Sequence, residues 1–194
     1  MESRFDFSKI NPPIIEIPGP WYRVHPTDKR VVYFGRSGTN RWDSPDKSYG
    51  VMYAGESWQG ALMESVLHDP KTKVVLESEL AKRSMALFTT ATALRVIDLT
   101  DGVVLRALAL TETETKGPYS VSQAISEGVY SAGWIVHGVR YASRLDPKLA
   151  CLALFEFPEE RIIVQGLGAL LSDFNRSLVG SMLDTYRIRL IFDL

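Results

Sequence analysis

The sequence predicts an α+β domain built on a twisted, mixed β-sheet. Short β-rich runs and amphipathic stretches follow one another irregularly, about eight to ten strands against four or five helices. The regular strand–helix repetition of a parallel doubly wound sheet is missing. Hydrophobic residues make up 45% of the 194-residue chain, enough for one full core. No low-complexity linker, charge run or internal repeat divides the chain. Only residues 1–20 stand apart, as a Pro-rich arm ahead of a single domain spanning 21–194.

Taken in order, Pro12, Pro13, Pro18 and Pro20 fix backbone angles and remove donors, so residues 11–20 run extended against the body. Trp21-Tyr22-Arg23-Val24 reads as a short strand and residues 31–34 as a second. Residues 36–48, rich in Gly, Ser, Asn and Asp, read as a surface loop. Residues 50–54 make a third strand. Ser57 is a helix N-cap, with Trp58, Ala61, Leu62 and Val66 at helical spacing toward His68. Residues 73–76 are β-rich, and 81–90 are balanced between strand and helix. A strand at 94–99, a turn at Asp101-Gly102 and a short helix at 103–110 follow, then a polar break over 111–118. Ser120 and Gln123 have capping-box spacing ahead of a helix reaching Ala132. Strands are expected at 134–141, 149–157 and 161–164, a helix at 170–186 and a last strand at 187–193.

Composition removes several function classes. The formal net charge is −1 with no basic run, so direct nucleic-acid binding has no electrostatic driver. The one cysteine, Cys151, sits in an apolar run and reads as a small buried hydrophobe. His25, His68 and His137 lie far apart without zinc spacing, so no metal site is expected. The start of the chain lacks a secretory pattern, and no apolar window reaches the roughly 18 residues of a membrane span, so a cytoplasmic protein is expected. Gly166-Leu-Gly168 precedes a helix as a dinucleotide fingerprint would, but Leu171 stands where the third glycine belongs, so it reads as a loop.

The stretch from Gly35 to Asp69 carries the candidate chemistry: Arg41 in a loop, Tyr53 on a strand and Glu64 on a helix, twelve and eleven residues apart. A planar cation, an aromatic face and a carboxylate suit a charged ligand with a flat ring and a bond that breaks through a cation; NAD is such a ligand. Each residue also has a plainer reading. Glu64 falls opposite the apolar face of its helix, which makes it a solvated residue unless the loop or neighbouring strands cover it. Arg23 and Arg41 suit phosphate oxygens, or else make surface ion pairs or stack on aromatic rings. Tyr53 alternates with Val51 and can be core. Ser120 is most simply a helix cap and Ser143 a turn residue.

Several pieces in one order resemble the RES domain family, toxins of bacterial RES–Xre toxin–antitoxin pairs. They are Tyr22-Arg23-Val24, Arg41-Trp42, Tyr49-Gly50-Val51-Met52-Tyr53-Ala54, Ala61-Leu62-Met63-Glu64, Val96-Ile97-Asp98-Leu99, Tyr119 with Gln123, and Gly138-Val139-Arg140-Tyr141-Ala142-Ser143-Arg144. The similarity spans residues 21–157. It implies a fold like the ADP-ribosyltransferase toxins and an activity that cleaves the nicotinamide–ribose bond of NAD, by hydrolysis, by phosphorolysis with inorganic phosphate, or by ADP-ribosylation of a protein. NAD is then substrate, no cofactor is needed, and an Xre-type antitoxin is the partner. The family's functional residues map to Glu64, Arg41 and Tyr53 as catalytic groups and Arg23 as a substrate ligand, with its serine at Ser120 or Ser143. A non-catalytic binding module is the alternative that the plainer readings leave standing.

Overall fold

The computed structural model describes residues 4–67 and 73–193; His68, toward which the first helix was expected to run, lies outside them. In chain order the strands are β1 (Ile15–Ile17), β2 (Trp21–Pro26), β3 (Val51–Gly55), β4 (Val74–Leu76), β5 (Arg83–Thr90), β6 (Leu94–Asp98), β7 (Gly138–Ala142), β8 (Ala150–Phe155), β9 (Ile162–Ala169) and β10 (Arg189–Ile191). The helices are α1 (Trp58–Val66), α2 (Glu77–Ala81), α3 (Gly102–Ala107), α4 (Glu112–Thr115), α5 (Tyr119–Ser131) and α6 (Asp173–Thr185). Eight strands join in one mixed sheet, ordered β1-β6-β7-β8-β3-β2-β5-β9, while β10 and β4 form a small parallel pair. Only β6 and β7 run parallel within the large sheet. This is the expected α+β architecture.

One irregularity in the sheet decides where a ligand can enter. β2 pairs with β5 along its whole length, from Trp21↔Phe88 to Pro26↔Arg83. On its other side it meets β3 at Tyr22↔Gly55 alone. The two strands then part, and the sheet splits between them. Each half has its own core. Trp42, Tyr49, Ile125, Val139 and Tyr141 pack under α3 and α5; Leu62, Met63, Leu67, Leu170 and Met182 pack between α1 and α6. A third cluster, around Trp21, Met52 and Phe88, ties the halves together.

The arm is extended as expected, and β1 adds it to the sheet edge through Ile15↔Val96. Other expectations are corrected. Residues 31–34 form no strand; a single bridge, Gly35↔Val51, is all that pairs there, and the Tyr33 carbonyl accepts from the Arg23 guanidinium instead. Ser120 and Gln123 make no capping box. The N-cap of α5 is Pro118, and the Gln123 amide donates to the carbonyls of Gly38 and Asn40. A capping box does form at Thr111 and Glu114, in the stretch read as an irregular break. Of the ambiguous residues 81–90, Ala81 closes α2, and 83–90 settle as strand because β2 and β9 flank them on both sides. Residues 134–137 stay outside the sheet, and Gly166 and Gly168 lie within β9 rather than in a loop.

Candidate active site

The loop after Gly35 is built around Asp43, which is buried. One of its oxygens accepts from the Ser37 hydroxyl at 2.6 Å, the Asn40 amide at 3.0 Å and the backbone N–H groups of Thr39 and Asn40 at 3.2 and 3.1 Å. Its other oxygen accepts from the Tyr53 hydroxyl at 2.9 Å, and that hydroxyl in turn accepts from the Trp42 N–H at 2.9 Å. Gln123 and Ser126 of α5 bind the loop's carbonyls from beneath. The expected surface loop is therefore half core: Arg41, Trp42, Asp43 and Ser44 are all buried. A loop tied to Asp43, Tyr53 and α5 by this many hydrogen bonds presents its side chains in fixed positions.

Arg41 is 5% exposed. Its guanidinium lies 5.1 Å from the ring centres of both Trp42 and Tyr141, a favourable seat for a planar cation. Two of its nitrogens donate to the carbonyls of Thr115 and Ala142, while Nε is buried without a partner. Burial lowers its pKa, against the raising influence of Tyr141 and Glu64. Among the described residues Arg41 makes no ion pair; of its two plainer readings, the stack on aromatic rings is the one that holds.

Glu64 reaches the site through a tight corner. β3 ends at Gly55, and α1 begins three residues on, with Ser57 as N-cap accepting from the Gly60 N–H. A Cβ on Gly55 would lie 2.4 Å from the Ala61 nitrogen and 2.7 Å from the Ser57 carbonyl oxygen, so the corner closes only around glycine. Arg140 braces it, bonding Glu56 at 2.6 Å and Asp98 at 3.0 Å. Glu64 is then not the solvated residue that periodicity gives. The buried Tyr141 hydroxyl donates to its Oε2 at 3.1 Å, and burial holds the pKa of that phenol well above its usual value, so the donor keeps its proton.

These elements meet at the split in the sheet, around a cavity of about 340 Å³. β2 contributes Arg23, β3 Tyr53, the loop Asn40 and Arg41, and α1 Glu64 and Ser65. Arg83, Tyr119 and Arg144 complete the wall, with Arg144 stacked 5.8 Å over the Tyr119 ring. Arg23 has Nη2 on the Tyr33 carbonyl at 3.2 Å and Nη1 buried and unpartnered; burial lowers its pKa to about 10. Four guanidinium groups thus face one carboxylate, and among the described residues none of the four forms an ion pair. Among the described residues, four cations and one acid in a partly enclosed hollow invite a ligand with more than one negative charge.

Of the residues singled out from sequence, Arg23, Arg41, Tyr53 and Glu64 line this cavity. Ser120 and Ser143 are not among its lining residues. Ser120 is exposed in the first turn of α5. Ser143 is fully buried, and its hydroxyl accepts from the Leu145 N–H at 3.3 Å, the turn role. Sequence reasoning missed the parts played by Tyr141, Tyr119, Arg144 and Arg83. The first three stand inside the motif pieces quoted above, which was a usable signal; Arg83 opens an ambiguous stretch and gave none. Among the described residues no cluster of His, Cys, Asp and Glu is placed to hold a metal ion, and no helix is long and apolar enough to cross a membrane.

No curated protein matches the sequence. Among solved structures, a chain of the M. tuberculosis MbcT–MbcA toxin–antitoxin complex superposes with a TM-score of 0.65 at 18% identity, over 87% of this chain and 91% of that one. The model of the RES domain matches residues 20–173, more than three quarters of the sequence, and the chain belongs to the RES domain family.

Proposed function

We propose that this protein is the toxin of a toxin–antitoxin pair and that it cleaves the nicotinamide–ribose bond of NAD in the cavity between β2 and β3. One observation carries the reading: among the described residues, four arginines without ion pairs converge on a single carboxylate, Glu64, that is held by a buried tyrosine. A dinucleotide meets that array with a diphosphate for the cations and a cationic pyridinium glycoside for the acid.

In this reading the diphosphate lies against Arg23, whose Nη1 has no other partner, and anchoring it orients the ribose carbon. Arg41 adds charge from a fixed position, its two terminal nitrogens held by backbone carbonyls. The Tyr53 hydroxyl is committed to the loop, so its part is its ring, a surface on which nicotinamide can stack. As the glycosidic bond lengthens, its electron pair passes to the pyridine nitrogen, neutral nicotinamide leaves, and positive charge grows on the ribose as in glycoside hydrolysis. Glu64, kept in place by Tyr141, stabilises that charge or holds a ribose hydroxyl. Such a preorganised group contributes about 3–4 kcal/mol. Water or inorganic phosphate then takes the ribose carbon from the open side; transfer to a protein side chain would use the same cavity.

The antitoxin is read as an Xre-type protein that covers this cavity, and the setting as the cytoplasm. Support for the pairing comes from family membership and from a fold shared with a chain of a toxin–antitoxin complex. The test is nicotinamide release from NAD by purified protein, with and without phosphate, beside Glu64→Gln. Release by the wild type that falls by a few hundredfold in the variant, with an unchanged melting temperature, is expected. A fully active Glu64→Gln refutes the assignment, and label from NAD appearing on a protein moves the reaction to ADP-ribosylation.

A further inference from the structure

Across the wall made by Arg23, Asn40 and Tyr53 lies a second hollow, of about 400 Å³. Its far side is formed by Tyr33, Gly35, Arg36 and Ser37. We propose that this hollow is a base subsite: it takes the adenine end of the dinucleotide, Tyr33 stacks on that base, and Arg23 sits between the two hollows on the diphosphate. The inference rests on the NAD reading of the Glu64 cavity and assigns the half of the substrate that the cavity leaves unplaced.

Size is the first reason. At about 340 Å³ the Glu64 cavity is near the lower end of the roughly 300–1,000 Å³ that small-molecule sites occupy. It suits a nucleotide better than a molecule with two bases, two riboses and a diphosphate. Arg23 is the second reason. It lines both hollows, its Nη2 donates to the Tyr33 carbonyl, and its Nη1 is buried with no partner. An unpartnered guanidinium nitrogen at the boundary is where a linker anion between two ligand halves would lie.

Tyr33 is the third reason. It is 57% exposed, a large aromatic left in water on the wall of a hollow. The backbone carbonyl of the same residue is fastened by Arg23, and its ring rests beside Gly35, where a Cβ would come within 3.4 Å of Tyr33 Cε1. The ring is thus placed by the same short segment that places the arginine. Electrostatics agree, because among the described residues no carboxylate lines this hollow and nearby Glu156 is already paired with Arg36.

The test compares ligands with and without the second base. Binding of ADP-ribose and of nicotinamide mononucleotide is measured by calorimetry for wild type, Tyr33→Ala and Tyr33→Trp. Tyr33→Ala should weaken ADP-ribose about tenfold, the loss of one base–aromatic stack, and leave the mononucleotide within about twofold. Tyr33→Trp should restore the ADP-ribose affinity, which a purely structural role would not give. Equal effects on both ligands, no effect on either, or no ADP-ribose binding by the wild type overturns the subsite. Nicotinamide release is followed on the same samples. Tyr33-dependent ADP-ribose binding without release would leave the subsite standing and sink the cleavage reading; release with Tyr33-independent binding does the reverse.

Discussion

Tyr141→Phe isolates the contact that turns a helix-surface glutamate into a site residue. The change deletes one oxygen and keeps the ring, so the seat of Arg41 between Trp42 and Tyr141 survives. What is lost is the 3.1 Å hydrogen bond to Glu64 Oε2. A hydrogen bond to a charged acceptor contributes about 1.5–3 kcal/mol. Glu64 is only partly buried, and cavity water can replace part of the bond, so the lower end applies, about 1.5 kcal/mol. If the bond matters chiefly when charge develops on the ribose, that is about a tenfold loss in kcat/KM, carried in kcat. Glu64→Gln, which removes the charge itself, should lose more, about 3–4 kcal/mol. Nicotinamide release under initial-rate conditions, with a thermal melt of each variant, measures both. Unchanged kcat in a well-folded Tyr141→Phe would refute the positioning role. A loss as deep as that of Glu64→Gln, at unchanged stability, would refute it from the other side, because a hydrogen bond to the acid cannot outweigh the acid.

Two further predictions concern the scaffold. Gly55→Ala forces a Cβ against backbone atoms at the β3–α1 corner, so it should cost about 2–3 kcal/mol and lower the melting temperature by roughly 5–10 °C, with nicotinamide release falling because α1 carries Glu64. A variant that melts like the wild type would show that the corner gives way without strain. Asp46, hydrogen-bonded first by the Ser44 hydroxyl and then by Ser48, has its pKa lowered to about 2. A depressed carboxylate stabilises the fold above its unfolded value, near 4, and loses that contribution as pH falls toward about 2. Urea midpoints of the wild type should therefore drop more steeply across that window than those of Asp46→Asn; parallel curves would contradict the assignment.

How much of this was legible in the sequence depends on the range over which each residue's surroundings are set. Ser57 as N-cap, the α1 helix and the strand through Tyr53 follow from neighbours within a few positions, and they were read correctly. Residues 31–34 look like a strand by composition, yet they form no ladder, and the Tyr33 carbonyl accepts from Arg23 instead. Ser120 and Gln123 have capping spacing, but Gln123 is drawn to carbonyls more than eighty residues earlier in the chain. In both cases a side-chain bond from outside the segment accompanies the departure from local pattern. Glu64 is the sharpest instance. Its helix alone makes it a solvated residue, and only Tyr141, 77 residues later, reverses that. Periodicity reports which face a helix buries against its own core, and it is silent about a second body closing over the other face.

That silence has a structural origin here. The cavity exists because β2 keeps its full ladder with β5 and drops its ladder with β3 after one residue pair. Strand propensity is identical on either side of such a split, so no local signal marks it. The split exposes the flanks of two strands that would otherwise be paired, and their residues, Arg23 and Tyr53, become wall. Keeping the gap open requires something rigid on each side. On the β3 side, the Asp43-centred loop is pinned by Tyr53 and by α5. On the β2 side, six paired residues hold β2 to β5. Clustered arginines repel one another in a collapsible crevice, and these two supports keep Arg23 and Arg83 on one side and Arg41 on the other around Glu64.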